Sequence, residues 1–320
     1  MLRTIFMGSP QFAVASLERV HAESELMAVY TQPDKPRARG NKMLPTPVKA
    51  RALELGLPVH EPARIRDEHV LEHLKELNPD VILVVAYAKL IPKTLLDLPR
   101  FGCINVHPSL LPRYRGAIPI QAAIMNGDSE TGVCTFFMDV GYDTGDIISV
   151  RRSPIGPDET GEQLSQRLSL VGADLLSETM RSLEAGDYTR TAQPAEAEGG
   201  YTKPLAKQDL VIDWNWPGRR VSHFVRALAT EPGAQTQFSG GVLKVGKAGT
   251  AESAASGAPG TVLGPVKGKG FLVAAADGSV LVEEVKPAGK GWMPAWSFWQ
   301  GNALRPGDIL GGVSPAATTC

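Results

Sequence analysis

The chain has 320 residues, 43% of them hydrophobic and 21% charged, with a formal net charge of −1. That length is more than one ordinary hydrophobic core fills and implies two domains. A charge so close to zero excludes a protein that coats nucleic acid by charge alone, while leaving room for a local basic patch.

In chain order, Leu2–Met7 is a short apolar run closed by Gly8-Ser9-Pro10, followed by helical spacing through Phe12, Val14, Leu17 and Val20. This predicts strand, tight turn and helix, with Pro10 tolerated in the helix's first turn. The N-terminus thus runs into a strand, without the layout of a signal peptide. Leu26–Thr31 and Asp80–Ala86 read as further strands, and Val48–Leu55 and His69–Leu77 as helices between them. Asp80–Ala86 carries Val and Ile without alternation, the pattern of a strand buried on both faces. It is too short to span a bilayer, and no membrane partner is expected. Cys103–Val106, Gly132–Met138 and Ile147–Arg152 continue the sheet, and Glu162–Leu183 is a long amphipathic helix. Alternating strands and helices predict an α/β domain over 1–188 with a doubly wound, mostly parallel, Rossmann-like sheet. Gly8-Ser9-Pro10 lacks the glycines of a pyrophosphate cradle, which disfavours a nicotinamide or flavin dinucleotide.

Thr189–Gly200 is rich in Thr, Ala, Glu, Pro and Gly without a period, so 189–206 reads as a linker. Beyond it one helix, Arg219–Ala229, precedes short strands at Val242–Val245, Gly260–Leu263, Gly270–Ala274 and Val280–Val285. Strands so short and so punctuated predict a small OB-like β-barrel over 207–313, with 314–320 as a frayed tail. From Leu205 onward eleven Lys/Arg stand against eight Asp/Glu, a mild basic excess. The three cysteines, Cys103, Cys134 and Cys320, form no C-x-x-C pair, which fits a reducing, cytoplasmic setting without disulfides.

The densest chemistry lies in Asn105-Val106-His107-Pro108-Ser109-Leu110-Leu111-Pro112-Arg113-Tyr114-Arg115-Gly116, where a buried strand ends. An α/β sheet binds ligands beyond the carboxyl ends of its strands. Asn105 and His107 are two apart, so on extended backbone they share a face, and Pro108 keeps His107 extended. An amide and an imidazole together can stabilise an oxyanion and move a proton. The plainer alternative is a pair of polar residues that caps the strand end. Met138–Asp146 is a tight loop with three acids, Asp139, Asp143 and Asp146. A carboxylate from it could fix the tautomer of His107, or all three could bond their own turn. Spacing does not choose among them.

Asn105-x-His107-x-Ser109-Leu110-Leu111-Pro112, Arg115-Gly116-x-x-Pro119-Ile120-Gln121 and Gly141-x-Asp143-x-Gly145-Asp146 resemble the folate-dependent formyltransferase superfamily. The resemblance to its branch acting on initiator methionyl-tRNA adds Thr31–Pro36, Arg39-Gly40, Pro45–Lys49, Val84–Tyr87, Tyr201–Leu205, Ile212–Trp214 and Lys286–Lys290. It covers nearly the whole chain. It implies a transfer without a covalent enzyme intermediate, from 10-formyltetrahydrofolate to the α-amino group of methionine on initiator tRNA, by a monomer that needs no metal. The family triad falls on Asn105, His107 and Asp143. The folate is expected against Ser109, Leu110, Leu111 and Pro112, with the pterin beside Tyr87, Leu90, Val140 and Gly141. Lys35, Arg37, Arg39 and Lys42 sit among prolines in the 33–47 loop, an exposed basic segment expected to meet the tRNA acceptor stem, with Arg39 probing its end. A formyltransferase for a small amine, such as a nucleotide sugar or glycinamide ribonucleotide, is the alternative; it would have no use for that loop.

Three departures stand out. Pro108 replaces a small residue usual in the tRNA branch, Thr230–Gln235 lacks the aromatics common around its Pro-Gly, and Arg37 is a second candidate for the probing role. His69-Val70-Leu71-Glu72-His73 matches an H-x-x-E-H zinc pattern. Its helix is lined with Glu68, Lys75 and Glu76, as a solvated outer face would be. Trp292, Trp296, Phe298 and Trp299 read as core of the second domain, and His223 as a helix residue.

Overall fold

Five consecutive β-branched or leucine residues, Val81–Val85, are all buried, as the unbroken apolar run requires of a central strand. The computed structural model describes residues 1–36, 43–196, 199–251, 257–301 and 303–311. The chain divides into two units. Unit 1 comprises Met1–Pro119, Glu130–Pro154 and Ser165–Thr202, and unit 2 comprises Ile120–Ser129, Ile155–Leu164 and Lys203–Cys320.

Unit 1 is built on seven strands: β1 (Arg3–Gly8), β2 (Glu25–Tyr30), β3 (Val59–His60), β4 (Val81–Val85), β5 (Cys103–His107), β6 (Glu130–Phe137) and β7 (Ile147–Pro154). Their order is β7-β6-β5-β4-β1-β2-β3. The five strands from β5 to β3 are parallel, and β6 and β7 are antiparallel additions at one edge. The order reverses direction at β1, the mark of a doubly wound sheet. Helices α1 (Val14–Glu23), α2 (Pro47–Glu54) and α3 (Glu68–Glu76) lie where the 3.6-residue spacing places them, within three residues. Pro47 opens α2, and Thr46 caps it, its hydroxyl accepting from the Lys49 amide at 3.1 Å.

Described residues of the stretch expected to link two domains pair with strands and turns of unit 1. Thr191 bridges Ile147, and Tyr201–Thr202 pairs in parallel with Arg115–Gly116. Up to Thr202 it belongs to unit 1. Composition is blind to this, because the segment is held by polar contacts and carries no apolar period.

Unit 2 contains helix α5 (Gly218–Leu228), numbered after α4 (Gly161–Ala185), whose residues from Ser165 on belong to unit 1. Val221, Phe224, Val225 and Leu228 of α5 are buried at i, i+3, i+4 and i+7, one apolar stripe. They join a core with Val245, Phe271, Val273, Val280 and Val282 from an antiparallel sheet. Its longer strands are β8 (Ala234–Phe238), β9 (Gly241–Ala251), β10 (Val262–Val266), β11 (Gly270–Ala275) and β12 (Gly278–Pro287), in the order β8-β9-β12-β11-β10, and the short strand Met293–Pro294 pairs with β12. Among the described residues no ladder joins β8 to β10, so the sheet is open at that seam. The sequence missed β8, where Gln235, Thr236 and Gln237 offer little apolar signal. Phe298 is buried in this core and Trp299 packs on it. No helix among the described residues is long and apolar enough to cross a membrane.

Candidate active site

Asn105 and His107 lie on β5, which hydrogen-bonds to β4 on one side and β6 on the other; Asn105 registers with Val84 and Phe136. His107, the last residue of the strand, is buried. Its Nδ1 faces Asp143 Oδ2 at 3.6 Å, and its Nε2 donates to the Tyr114 carbonyl at 3.0 Å. The loop after β6 spends its other two acids elsewhere. Asp139 accepts from the Gly141 amide and the Thr144 hydroxyl, and Asp146 pairs with Arg190 at 3.0 Å. Geometry therefore separates three acids that spacing left equivalent.

Asp143 reaches His107 because its backbone is left-handed, with φ +54°. For a non-glycine residue that conformation costs roughly 1–2 kcal/mol and must be held from outside. Its carboxylate accepts the Gly116 N–H at 2.8 Å. Gly116 has φ +105°, and a Cβ there would stand 2.2 Å from the Thr202 carbonyl oxygen, so only glycine lets the two segments approach. Gly145 is under the same constraint, its Cβ position lying 1.7 Å from the Phe137 carbonyl oxygen.

Around the end of β4, Ala86 and Ala88 are both left-handed, with φ of +49° and +56°. Two such residues without a glycine are an unusual concentration of backbone strain, which collects at ligand sites. Between them the Tyr87 side chain turns inward and is buried, its hydroxyl pushed up to about 12 by burial. The Gln32 side-chain amide donates to the Tyr87 carbonyl at 2.9 Å. Leu90 is 67% exposed, and Val140 in the acidic loop is 71% exposed.

The Ser109–Pro112 run is more inward than its expected role suggests. Ser109 is buried, and its hydroxyl donates to the Arg113 carbonyl at 2.6 Å, closing its own turn. Leu111 packs against Cys134 and Phe136, while Leu110 and Pro112 keep partial exposure. The thiols of Cys103 and Cys134 are free and pushed up to about 12 by burial, which leaves neither as a nucleophile near neutral pH.

Of the basic loop, Arg37, Arg39 and Lys42 lie outside the described residues. Its base is built like a stem. Lys35–Pro36 pairs antiparallel with Met43–Leu44, Thr31 shares a 2.7 Å hydrogen bond with Thr46, and Lys49 bridges Asp34 at 2.8 Å and Glu61 at 2.6 Å. The hydrogen bonds that Lys49 donates to Asp34 and then to Glu61 raise its ammonium pKa. In the zinc-like pattern, His69 is exposed while His73 packs on His60 with ring centroids 4.7 Å apart.

Sequence reasoning placed Tyr114, Arg115 and Gly116 in the dense stretch without giving any of them a role, and it missed Gln193. The first two act through backbone and buried contacts, and Gln193 sits in the segment that composition reads as a linker.

Residues 2–180 match the formyl transferase family, and residues 204–303 match the formyl transferase C-terminal domain. The methionyl-tRNA formyltransferase of Symbiobacterium thermophilum is 49% identical over 309 residues, covering 96% of this chain and 94% of that protein. That of Geotalea daltonii is 45% identical over 311 residues, covering 97% and 98%. The crystal structure of an N-formyltransferase from Helicobacter canadensis, in complex with folinic acid and dTDP-3-aminofucose, superposes with a TM-score of 0.62 at 19% identity. It covers 88% of this chain and 99% of its own, a likeness of fold alone. Matched in both domains, and nearly half identical to one relative over almost the full length of each, the chain belongs to the formyl transferase family.

Proposed function

We propose that the chain transfers a formyl group from 10-formyltetrahydrofolate to the α-amino group of methionine on initiator methionyl-tRNA. The observation that carries the reading is the convergence of His107 with Asp143 at the end of β5, in a chain similar over nearly its whole length to methionyl-tRNA formyltransferases.

In this reading the neutral amine of the substrate attacks the formyl carbon. A carbon–nitrogen bond forms and the formyl oxygen takes up negative charge. The Asn105 amide donates a hydrogen bond to that oxygen, and the His107 Nε2–H, which meets the Tyr114 carbonyl in the free chain, exchanges that partner for it; each such donor is worth roughly 2.7–4 kcal/mol of barrier. Collapse breaks the bond to the folate N10, and His107 carries the proton lost by the amine to that nitrogen. Asp143 supports the imidazolium in passing. Atoms balance: one N–H is lost at the amine and one gained at N10. The strained Ala86–Ala88 segment and exposed Leu90 and Val140 supply an apolar wall for the pterin. The pairing of Lys35–Pro36 with Met43–Leu44 closes the base of the 33–47 loop, and in this reading the loop's basic residues, Arg39 first among them, meet the acceptor stem.

The test is incubation with 10-formyltetrahydrofolate and charged initiator tRNA, scoring formylmethionine. Formylation of an amino sugar nucleotide or glycinamide ribonucleotide in preference to the tRNA would overturn the reading.

A further inference from the structure

Arg115 is wholly buried, 0% exposed, and among the described residues its guanidinium meets no carboxylate. All five of its N–H donors are nevertheless spent. Nε and Nη2 both reach Gln193 Oε1, at 3.1 and 2.9 Å. Nη2 also reaches the Pro194 carbonyl at 2.8 Å. Nη1 reaches the Ala195 carbonyl at 3.2 Å and the Tyr201 hydroxyl at 3.3 Å. A buried charge contributes little net stability compared with an apolar side chain of its size. What a rigid five-donor fork supplies is geometry.

Gln193 converts that geometry into a hold on the acidic loop. With its amide oxygen committed to the guanidinium, its Nε2 donates to the Asp143 carbonyl at 3.1 Å and the Gly145 carbonyl at 2.7 Å. The amide cannot flip, because that would aim N–H groups at a cation. Asp143 is thus gripped twice from one dipeptide: its carboxylate by the Gly116 N–H, and its carbonyl by Arg115 acting through Gln193. It is the residue that needs gripping, since its backbone is left-handed without being glycine.

We propose that Gln193, oriented by buried Arg115, is a positioning residue that sets Asp143 against His107, so that the segment following α4 is a working part of the catalytic apparatus. The proposal rests on Asn105, His107 and Asp143 being the reacting groups, and its test separates the two.

Gln193→Glu keeps the oxygen that Arg115 needs and removes the N–H groups that the loop needs. The full chain carrying it, Asp143→Asn, and the double variant are compared for kcat, KM for charged tRNA and melting temperature. The expected result for Gln193→Glu is a kcat loss of about ten- to a hundredfold, the scale of a small misplacement of a catalytic group, with KM for tRNA unchanged. In the Asp143→Asn background the same substitution should cost nothing further, because a residue that acts through Asp143 has nothing left to position. A loss that multiplies with that of Asp143→Asn, or unchanged kcat in Gln193→Glu while Asp143→Asn is impaired, overturns the positioning role. Unchanged kcat in Asp143→Asn itself overturns the underlying triad instead. Should Gln193→Glu not fold, Gln193→Asn, which keeps both ends of the amide but is one carbon too short to span both partners, is expected to give the same non-multiplying loss.

Discussion

His107 and Tyr114 share a 3.0 Å hydrogen bond from imidazole Nε2 to a backbone carbonyl, and a carbonyl can only accept. Nε2 therefore carries the proton in this arrangement, while Nδ1 looks toward the Asp143 carboxylate at 3.6 Å. Tyr114 aims its carbonyl through a left-handed turn, φ +56°, that leads directly into Arg115 and Gly116. The imidazole is held at Nε2 by this turn, and its Nδ1 faces the loop that the turn holds.

In the proposed mechanism, removing that imidazole takes away an oxyanion donor and a proton carrier together. His107→Ala is expected to lower the single-turnover rate by about 10³-fold or more, with binding of charged tRNA retained. Asn105→Ala removes a donor alone and should cost about 10²–10³-fold. Rapid-quench kinetics and filter binding check both. Near-native rates in His107→Ala would exclude the proton relay.

Gly116→Ala places a methyl group 2.2 Å from the Thr202 carbonyl oxygen in a backbone conformation that L side chains rarely adopt. A loss of about 1–3 kcal/mol in urea unfolding is expected, together with reduced kcat, since the Gly116 N–H is what the Asp143 carboxylate accepts. Unchanged stability and rate would mean that Tyr201–Thr202 does not press against this turn.

On the tRNA side, Arg39→Leu should weaken kcat/KM for initiator tRNA by about ten- to a hundredfold and leave the KM for the formyl donor alone. The slope of log kcat/KM against log salt should fall by about 1 if a phosphate contact is lost. If Arg37→Leu has these effects and Arg39→Leu does not, the loop register inferred from the resemblance is wrong.

Two buried phenols predict the alkaline limit of stability. Burial pushes the Tyr87 hydroxyl up to about 12 and that of Tyr30 higher still, against about 10 in an unfolded chain. A folded pKa above the unfolded one gives stabilisation that is full below about pH 10 and is lost as the pH climbs through about 12. Absorbance at 295 nm should show these two tyrosines ionising only with unfolding. The Tyr87 hydroxyl has no partner among the described residues, so Tyr87→Phe should be neutral or stabilising and flatten that loss. Early ionisation of all six tyrosines of the chain would contradict the burial.

The sheet was legible because burial imposes period and composition on it: Val81–Val85 announces a central strand, and Phe12–Val20 a helix packed beside it. The pairing of Asn105 with His107 on one face was legible for the same reason, since a strand repeats every two residues. The choice of Asp143 over Asp139 and Asp146 was not, because it depends on backbone φ and on Gly116, 27 positions away. Gln193 was invisible for a related reason. Its work is done by polar contacts to backbone carbonyls, which leave no periodic trace, and its neighbours are the Thr, Ala, Pro and Glu of an apparent spacer. Strand β8 was lost to polar residues whose alternation is weak.

The parallel seam between Tyr201–Thr202 and Arg115–Gly116 has a practical consequence for anyone who would shorten the molecule. Cutting at residue 188, where composition suggests a border, would strip Arg115 of every acceptor it has and release the Asp143 loop from Gln193. A self-sufficient N-terminal fragment must retain the residues through Thr202, which makes the spacer an heirloom of the chemistry and not of the junction.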